Sequence, residues 1–441
     1  MRSSIRHTPA EVILTGCKLI DGINDQPLAN AYVEIRNGKI VSSGPMAKAP
    51  QDKGLHEIDC QGRTVMPGLI DCHVHLVYAG SRNMEEAVRF SVETAVIHGV
   101  MHARAVLDSG YTAVREVGTI GNTSVALRDA IKARKIYGPK IVASGRGIGT
   151  TGGGNDLLPA HWESTAGRLV VDGVDAIRKA VRRQTREGVD NIKFIASGVE
   201  GHPTAYTWMT CISEEELRAG IEEAHRWGRS VAVHAQSYES VQFALRWGAD
   251  TIEHGTRMGE EEIEMFKKSK AFLVPTLCTL YSVIEKGESM NLPMKQREEM
   301  VVNAPIWKQS IHDAYKAGVR IASGGDLGNR YPHGDNAREL EFLVGVGMDN
   351  MDVLRSATSI AAQAIRRADK YGSIQPGLEA DVIVVDGDPL TDITVLQHLS
   401  KINMVFQDGE IVAGSESRMP RDEMPMIRPP ACPPGCDHAH H

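Results

Sequence analysis

Between residues 65 and 347, short apolar runs alternate eight times with amphipathic helical stretches. No other feature of the chain restricts its fold so strongly. Strands joined through helices run in one direction and build a parallel sheet. Eight such units close the sheet into a (β/α)8 TIM barrel. The apolar runs predict strands over residues 65–75, 112–118, 140–148, 191–197, 230–235, 251–254, 271–277 and 319–323. Helices are expected over 83–109, 124–136, 174–188, 213–228, 240–248, 260–270, within 294–318, over 336–347, and again over 351–367. Ser213 with Glu216 has the spacing of a capping box.

Before residue 65 and after residue 371 the texture is different. Short strand-like runs such as Val12-Ile13-Leu14 and Tyr32-Val33-Glu34-Ile35 are separated by turn signals, and Asn37-Gly38 reads as a hairpin turn. Residues 1–64 and 372–415 are therefore expected to form one composite β-sandwich domain, with the barrel of residues 65–371 inserted in it. Residues 416–441 read as a Pro-rich tail, and its Cys/His-containing end as a poorly packed extension rather than a metal site.

Composition narrows the function. The net charge of −7 and the lack of a basic stripe exclude a nucleic-acid partner. No apolar stretch is long enough for a membrane span, and no signal-peptide core follows Met1-Arg2-Ser3-Ser4. Seven cysteines without framework spacing fit a reducing, cytoplasmic setting. The expected partner is a small-molecule substrate, and the expected assembly a homo-oligomer.

In a barrel of this kind the chemistry sits where strands end. His73 and His75 end the first strand, and side chains two apart on a strand share a face. The fourth strand carries Lys193, the fifth His234, the sixth ends in His254 and the eighth in Asp326. Each alone has an ordinary explanation, such as a hydrogen-bonded strand end or a surface ion pair. Together they converge on one rim as a ligand set that suits borderline metals such as Zn²⁺. His73, His75 and Asp326 would hold one ion, and His234 and His254 a second. An ammonium has no lone pair, so Lys193 can join them only as an anionic carbamate formed with CO2.

This pattern resembles the amidohydrolase superfamily, in the subtype with a binuclear metal centre and a carboxylated lysine. The resemblance extends to Pro67-Gly68-Leu69-Ile70-Asp71 and Gly377-Leu378-Glu379-Ala380-Asp381. It implies two divalent ions, read as Zn²⁺ with Co²⁺ or Mn²⁺ as alternatives, bound by His73, His75, Lys193, His234, His254 and Asp326. Phe194-Ile195-Ala196-Ser197-Gly198, Ser237-Tyr238-Glu239-Ser240 and Pro332-His333-Gly334-Asp335-Asn336-Ala337 look like the prolidase-like branch of Xaa-Pro dipeptidases and carboxypeptidases. By that resemblance Tyr238 is catalytic, hydrogen-bonding the substrate or its tetrahedral intermediate, and Gln236, His202, His333 and His161 are candidate substrate contacts.

Three segments depart from the branch. Gly154 stands where a His is typical, His234-Ala235-Gln236 replaces His-Ala-His, and the loop Gly198-Val199-Glu200-Gly201-His202-Pro203 is more polar and bulkier. His161 or His202 could stand in for the absent His. The expected reaction is hydrolysis of an amide-type C–N bond in Xaa-Pro or N-acyl amino acid substrates. A metal-bridging hydroxide would attack the carbonyl, Asp326 taking its proton and passing it to the leaving nitrogen. A phenylurea, anilide, carbamate or thiocarbamate is the alternative substrate class. Deamination of a cyclic amidine is a second alternative, disfavoured by Lys193. A non-catalytic scaffold would be expected to have lost a ligand, and none is lost.

Overall fold

The computed structural model describes residues 11–78, 90–156, 167–200, 202, 204–288, 292–328 and 331–415. The tail from residue 416 and His161 lie outside the described residues. β1 (Val12–Leu19), β2 (Leu28–Arg36) and β3 (Lys39–Pro45) form an antiparallel meander. The β2–β3 turn has Asn37 at φ 50° and Gly38 at φ 76°. Positive φ at both central positions matches the twist of a two-residue hairpin, which is why Asn-Gly announces one. β4 (His56–Asp59) and β5 (Thr64–Pro67) pair with β1 in parallel.

One residue after β5 the chain enters the barrel. Its parallel strands are β6 (Leu69–Val74), β7 (Tyr111–Glu116), β8 (Lys140–Ala143), β9 (Gly147–Gly149), β11 (Asn191–Ile195), β12 (Ser230–Ala235), β13 (Thr251–His254) and β14 (Phe272–Val274), with β10 (Arg168–Val170) beside β9. The third expected strand is thus two short ones, β8 and β9, separated by Ser144-Gly145-Arg146. The Asp190 N–H donates to the Ala143 carbonyl at 2.8 Å and joins the third position to the fourth. The eighth expected strand is irregular, with a single bridge from Ile321 to Leu273. It still closes the ring. Ala322 N–H donates to Leu273, Cys72 N–H to Ser323 and Asp326 N–H to His73, at 2.9, 2.9 and 2.7 Å.

Helices lie between the strands as the periodicity predicts, among them Val92–Asp108, Thr123–Lys132, Val174–Arg186 and Glu214–Arg226. Ser213 and Glu216 form the expected capping box. A helix at Leu277–Lys286, not foreseen from the sequence, precedes Met294–Lys316, and the last helical stretch breaks into Asn350–Ser356 and Ser359–Ala364. Alternate strand residues divide the labour. Ile192, Phe194, Val231, Val233 and Ile252 pack under the helices with Ile177, Val181, Leu217 and Ile221. Burying each such side chain contributes about 1.5–3 kcal/mol. The intervening positions, including Arg115, Lys193, His234 and Glu253, face the barrel axis.

The chain returns to the sheet at β15 (Val382–Val385), antiparallel to β5, followed by β16 (Ile402–Gln407) and β17 (Glu410–Ala413). Exit and re-entry are neighbouring strands, so the barrel is an insertion in one eight-stranded sheet. Lys140, at the base of β8, binds the two units together through Glu379, Asp381 and Asp408 at 2.7, 2.8 and 2.8 Å.

Candidate metal centre

The six expected ligands meet at the C-terminal mouth of the barrel and line one cavity there. The rings of His73 and His75 are 5.4 Å apart, those of His73 and His254 5.2 Å, and those of His234 and His254 4.4 Å. Ligand atoms of His73, His254 and Asp326 lie within 4.8 Å of one another.

Each ring is oriented by a partner behind it. His73 Nδ1–H donates to Glu253 Oε2 at 2.7 Å, and His75 Nδ1–H to the Gly118 carbonyl at 2.8 Å. His254 Nδ1–H donates to Thr276 Oγ1 at 2.6 Å, whose own hydroxyl donates to the Pro275 carbonyl. His234 presents the opposite edge, with Nε2–H donating to the Gly198 carbonyl at 3.0 Å. Fixing one nitrogen as donor leaves the other with a free lone pair aimed inward. Burial, reinforced by Lys193, lowers the His73 pKa to about 4 and that of His234 to about 3, so both are neutral at physiological pH.

Asp326 meets these lone pairs. Its Oδ1 is 3.2 Å from His75 Nε2 and 3.5 Å from His73 Nε2. Both histidine protons are spent elsewhere, so Oδ1 is buried with no hydrogen-bond partner among the described residues. Oδ2 accepts from Thr279 Oγ1 at 2.8 Å. Burial works to raise the Asp326 carboxyl, and only positive charge at the position of the His73, His75 and His254 rings holds it well below the usual range, a charge that neutral imidazoles leave to a cation. Acceptors crowded together without protons to share are what a cation requires, and the donor set fits one. Lys193 adds to this. Its Nζ is buried without a hydrogen-bond partner among the described residues, and burial lowers its pKa to about 8. An unpaired buried ammonium is costly, whereas a partly neutral amine is the form that can react with CO2.

Two of the expected ligands are delivered by the backbone rather than by strand alternation. His254 follows Glu253 directly, so a regular strand would point it out of the barrel. Its φ of 73° turns it back, and Asp326 has a φ of 53°. Non-glycine residues seldom adopt that region, and they do so most often at functional sites.

Residues not foreseen from the sequence support the expected ligands. Arg115 lies wholly inside the barrel and donates to Glu253 Oε1 at 2.7 Å, Thr251 Oγ1 at 2.8 Å and the Cys72 carbonyl at 2.8 Å. Asp71 accepts from the backbone of His73 and Gly325 at 2.9 and 3.1 Å and from Asn336 Nδ2 at 2.8 Å, clamping the first strand to the eighth. The period-two pattern that put Lys193 inside could have found Arg115 and Glu253. The Asp71–Asn336 contact spans 265 positions, with no local signal.

The expected substrate contacts are placed differently. His202 is buried, but Nδ1 accepts from the Thr204 and Ala205 N–H groups at 3.1 and 2.8 Å, and Nε2–H donates to the Asp156 carbonyl at 2.9 Å. It staples two loops and does not line the cavity. His333 lies tilted against His102 with ring centroids 4.5 Å apart, and its Nε2–H donates to the His75 carbonyl at 3.1 Å. Gln236 is buried beneath the loop, donating to Glu200 and to Thr256 Oγ1. Tyr238 opens the helix Tyr238–Arg246 at the rim, 49% exposed, and is not among the cavity residues. The cavity wall beyond the ligands is Tyr78, Val117, Asn155, Arg168, Ile195 and Glu200, among others. Gly154 has a packing reason to lack a side chain, since a Cβ there would lie 2.5 Å from the Ser197 carbonyl oxygen.

Comparison with known proteins gives the family. The model of the amidohydrolase family matches residues 64–412. Ochratoxinase from Aspergillus niger is 30% identical over 422 residues, covering 90% of this chain and 85% of the relative. Among solved structures, a Xaa-Pro dipeptidase with bound methionine in its active site superimposes with a TM-score of 0.84 at 32% identity, over 91% of this chain and 100% of that one. A prolidase complexed with N-methylphosphonate-L-proline gives 0.84 at 31% identity, over 91% and 99%. The chain belongs to the amidohydrolase family.

Proposed function

We propose that the protein is a metal-dependent hydrolase of an amide C–N bond in a small N-acyl amino acid, of the Xaa-Pro or N-acyl-amino-acid kind. The observation that carries this reading is the convergence of unprotonated histidine nitrogens on the partnerless Asp326 Oδ1. Relatives named for Xaa-Pro and ochratoxin substrates support the substrate class.

In this reading His73, His75 and Asp326 would hold one divalent ion and His234 and His254 a second, and Lys193 would contribute as a carbamate. Zn²⁺ suits the donors best, with Co²⁺ or Mn²⁺ as substitutes. Bound ions would supply Lewis acidity and a water acidified towards neutrality. The chain supplies the rest. Asp326 stays ionised and accepts the proton of the attacking water. Thr279 fixes its second oxygen, so the carboxylate cannot swing away before delivering that proton to the leaving nitrogen. The four outward hydrogen bonds hold the imidazoles rigid, which limits reorganisation as charge develops.

The test pairs a substrate screen with one variant. Metal-replete protein is offered Xaa-Pro dipeptides and N-acyl amino acids beside aryl amides, ureas and carbamates. Asp326→Asn is expected to stay folded and lose about 10²–10⁴-fold in kcat. Turnover confined to ureas and carbamates, or full activity of Asp326→Asn, refutes the proposal.

A further inference from the structure

The helix Leu277–Lys286 starts without a cap of its own. Ser91, Ser213 and Ser237 each accept from an N–H in the first turn of the helix they precede. Thr276 stands at the equivalent position, yet its side chain makes no such bond. Its φ of 54° and ψ of 43° are left-handed, whereas a capping residue is ordinarily extended. Its hydroxyl is engaged away from the helix, accepting from His254 Nδ1 at 2.6 Å and donating to the Pro275 carbonyl at 2.7 Å.

The cap comes instead from 62 positions further along the chain. Glu339 Oε1 accepts from the Leu277 N–H at 2.9 Å, and Oε2 from the Cys278 N–H at 2.8 Å. Leu277, Cys278 and Glu339 are each 1% exposed or less, so both donors depend on this carboxyl. The next residue, Thr279, gives its hydroxyl to Asp326 Oδ2 at 2.8 Å. The start of this helix thus makes one side-chain contact to His254 and one to Asp326, and Glu339 holds it in place. Asn336, three residues before Glu339, donates to Asp71, which fixes the backbones of His73 and Gly325. The segment Asn336–Glu339 therefore braces both sides of the site, although neither of these two residues lines the cavity.

We propose that Glu339 is a positioning residue of the metal centre: by capping the helix Leu277–Lys286 from outside, it frees the Thr276 hydroxyl to orient His254 and keeps Thr279 on Asp326. The inference rests on the metal-dependent reading and adds to it a residue outside the cavity. A threonine at a helix start ordinarily turns its hydroxyl to the helix N–H groups. Were Thr276 to do so, His254 Nδ1 would lose the acceptor that fixes its tautomer. Glu339 removes that competition.

Co²⁺ is titrated into metal-free wild type, Glu339→Gln, Thr276→Val and the double variant, with visible absorption as the readout. Amide hydrogen exchange is measured on the same metal-free proteins. Glu339→Gln keeps the shape but turns one acceptor into a donor, leaving one helix N–H unpaired. It should lose protection at amides 277–279, bind Co²⁺ about 10-fold more weakly and shift its absorption. Thr276→Val should weaken Co²⁺ by a similar factor with that protection intact, an outcome that does not depend on whether Glu339→Gln folds. The double variant should lose less than the product of the two single losses. Phe342→Leu controls for general loosening. It thins the Tyr281–Phe342 stack, 3.9 Å between centroids, which joins the helices Leu277–Lys286 and Arg338–Gly345 away from the cap. It should melt at a lower temperature yet keep wild-type Co²⁺ affinity and absorption. Wild-type affinity and absorption in Glu339→Gln, lost protection in Thr276→Val, multiplying losses in the double variant, or an equal spectral change in Phe342→Leu each overturn the inference alone. Wild type that takes up no Co²⁺ refutes the metal-dependent reading and the inference with it.

Discussion

Replacing Glu253 by Gln tests whether the buried dyad behind His73 is what prepares the proposed metal centre. Glu253 and Arg115 are both fully buried, 2.7 Å apart, and Glu253 Oε2 accepts from His73 Nδ1 at 2.7 Å. Glu253→Gln keeps the shape and removes one charge, leaving Arg115 uncompensated. Breaking such a pair costs about 3–5 kcal/mol, because the remaining ion stays desolvated. The Gln amide can also offer an N–H to His73 Nδ1, which would move the ring proton to Nε2 and remove the lone pair facing Asp326. Metal affinity should fall about 10–100-fold, as for other partners behind a ligand. The double variant Arg115→Met/Glu253→Gln has no orphaned charge and should regain stability relative to the sum of the singles, with a coupling of about 0.5–3 kcal/mol. Metal affinity should stay low in the double variant, since His73 still lacks its carboxylate. Urea denaturation of the four proteins gives the first quantity, and metal titration the second. The acid limb gives a further check. Burial works to raise Glu253, but Arg115 and Lys193 hold it far below the ordinary 4.5, so its stabilisation is present above 4.5 and lost as pH falls. Additive stabilities in the cycle, or wild-type metal affinity in Glu253→Gln, refute the reasoning.

Two further outcomes are expected. Burial raises the Glu116 pKa from 4.5 to about 8, so folding takes up a proton between these values. Stability from this group is complete below 4.5 and lost as pH rises through 8, at a slope of up to about 1.4 kcal/mol per pH unit. Glu116→Gln should therefore lose less stability than wild type between pH 5 and 8, and parallel pH profiles would exclude this. Gly154→Ala should cost about 1–3 kcal/mol and raise KM more than it lowers kcat, because the new Cβ meets the Ser197 carbonyl and must displace the Asn155 loop. A variant with unchanged stability and KM would show that the loop yields freely.

Much of the architecture is legible in the residue order because its causes are local. Asn37-Gly38 closes a hairpin by its own dihedral preferences, and Ser213 caps a helix with a residue three positions away. Alternation along β11 and β12 puts Lys193 and His234 on the inner face whatever the rest of the chain does. The irregular elements are less readable. The break between β8 and β9 and the single-bridge eighth strand depend on neighbours far along the chain, not on composition.

The same division holds at the site. The sequence by itself determined the barrel, its insertion in a sheet, and the six side chains that meet at its mouth, because periodicity and connectivity fix which strand ends share a rim. Tertiary structure decided what those side chains can do. His202 looked free and is consumed by three backbone partners, while Asp71 finds its partner Asn336 265 positions further along the chain. Hydrogen-bond saturation, burial and the turned backbones of His254 and Asp326 are properties of packed neighbours, and a linear pattern does not record them.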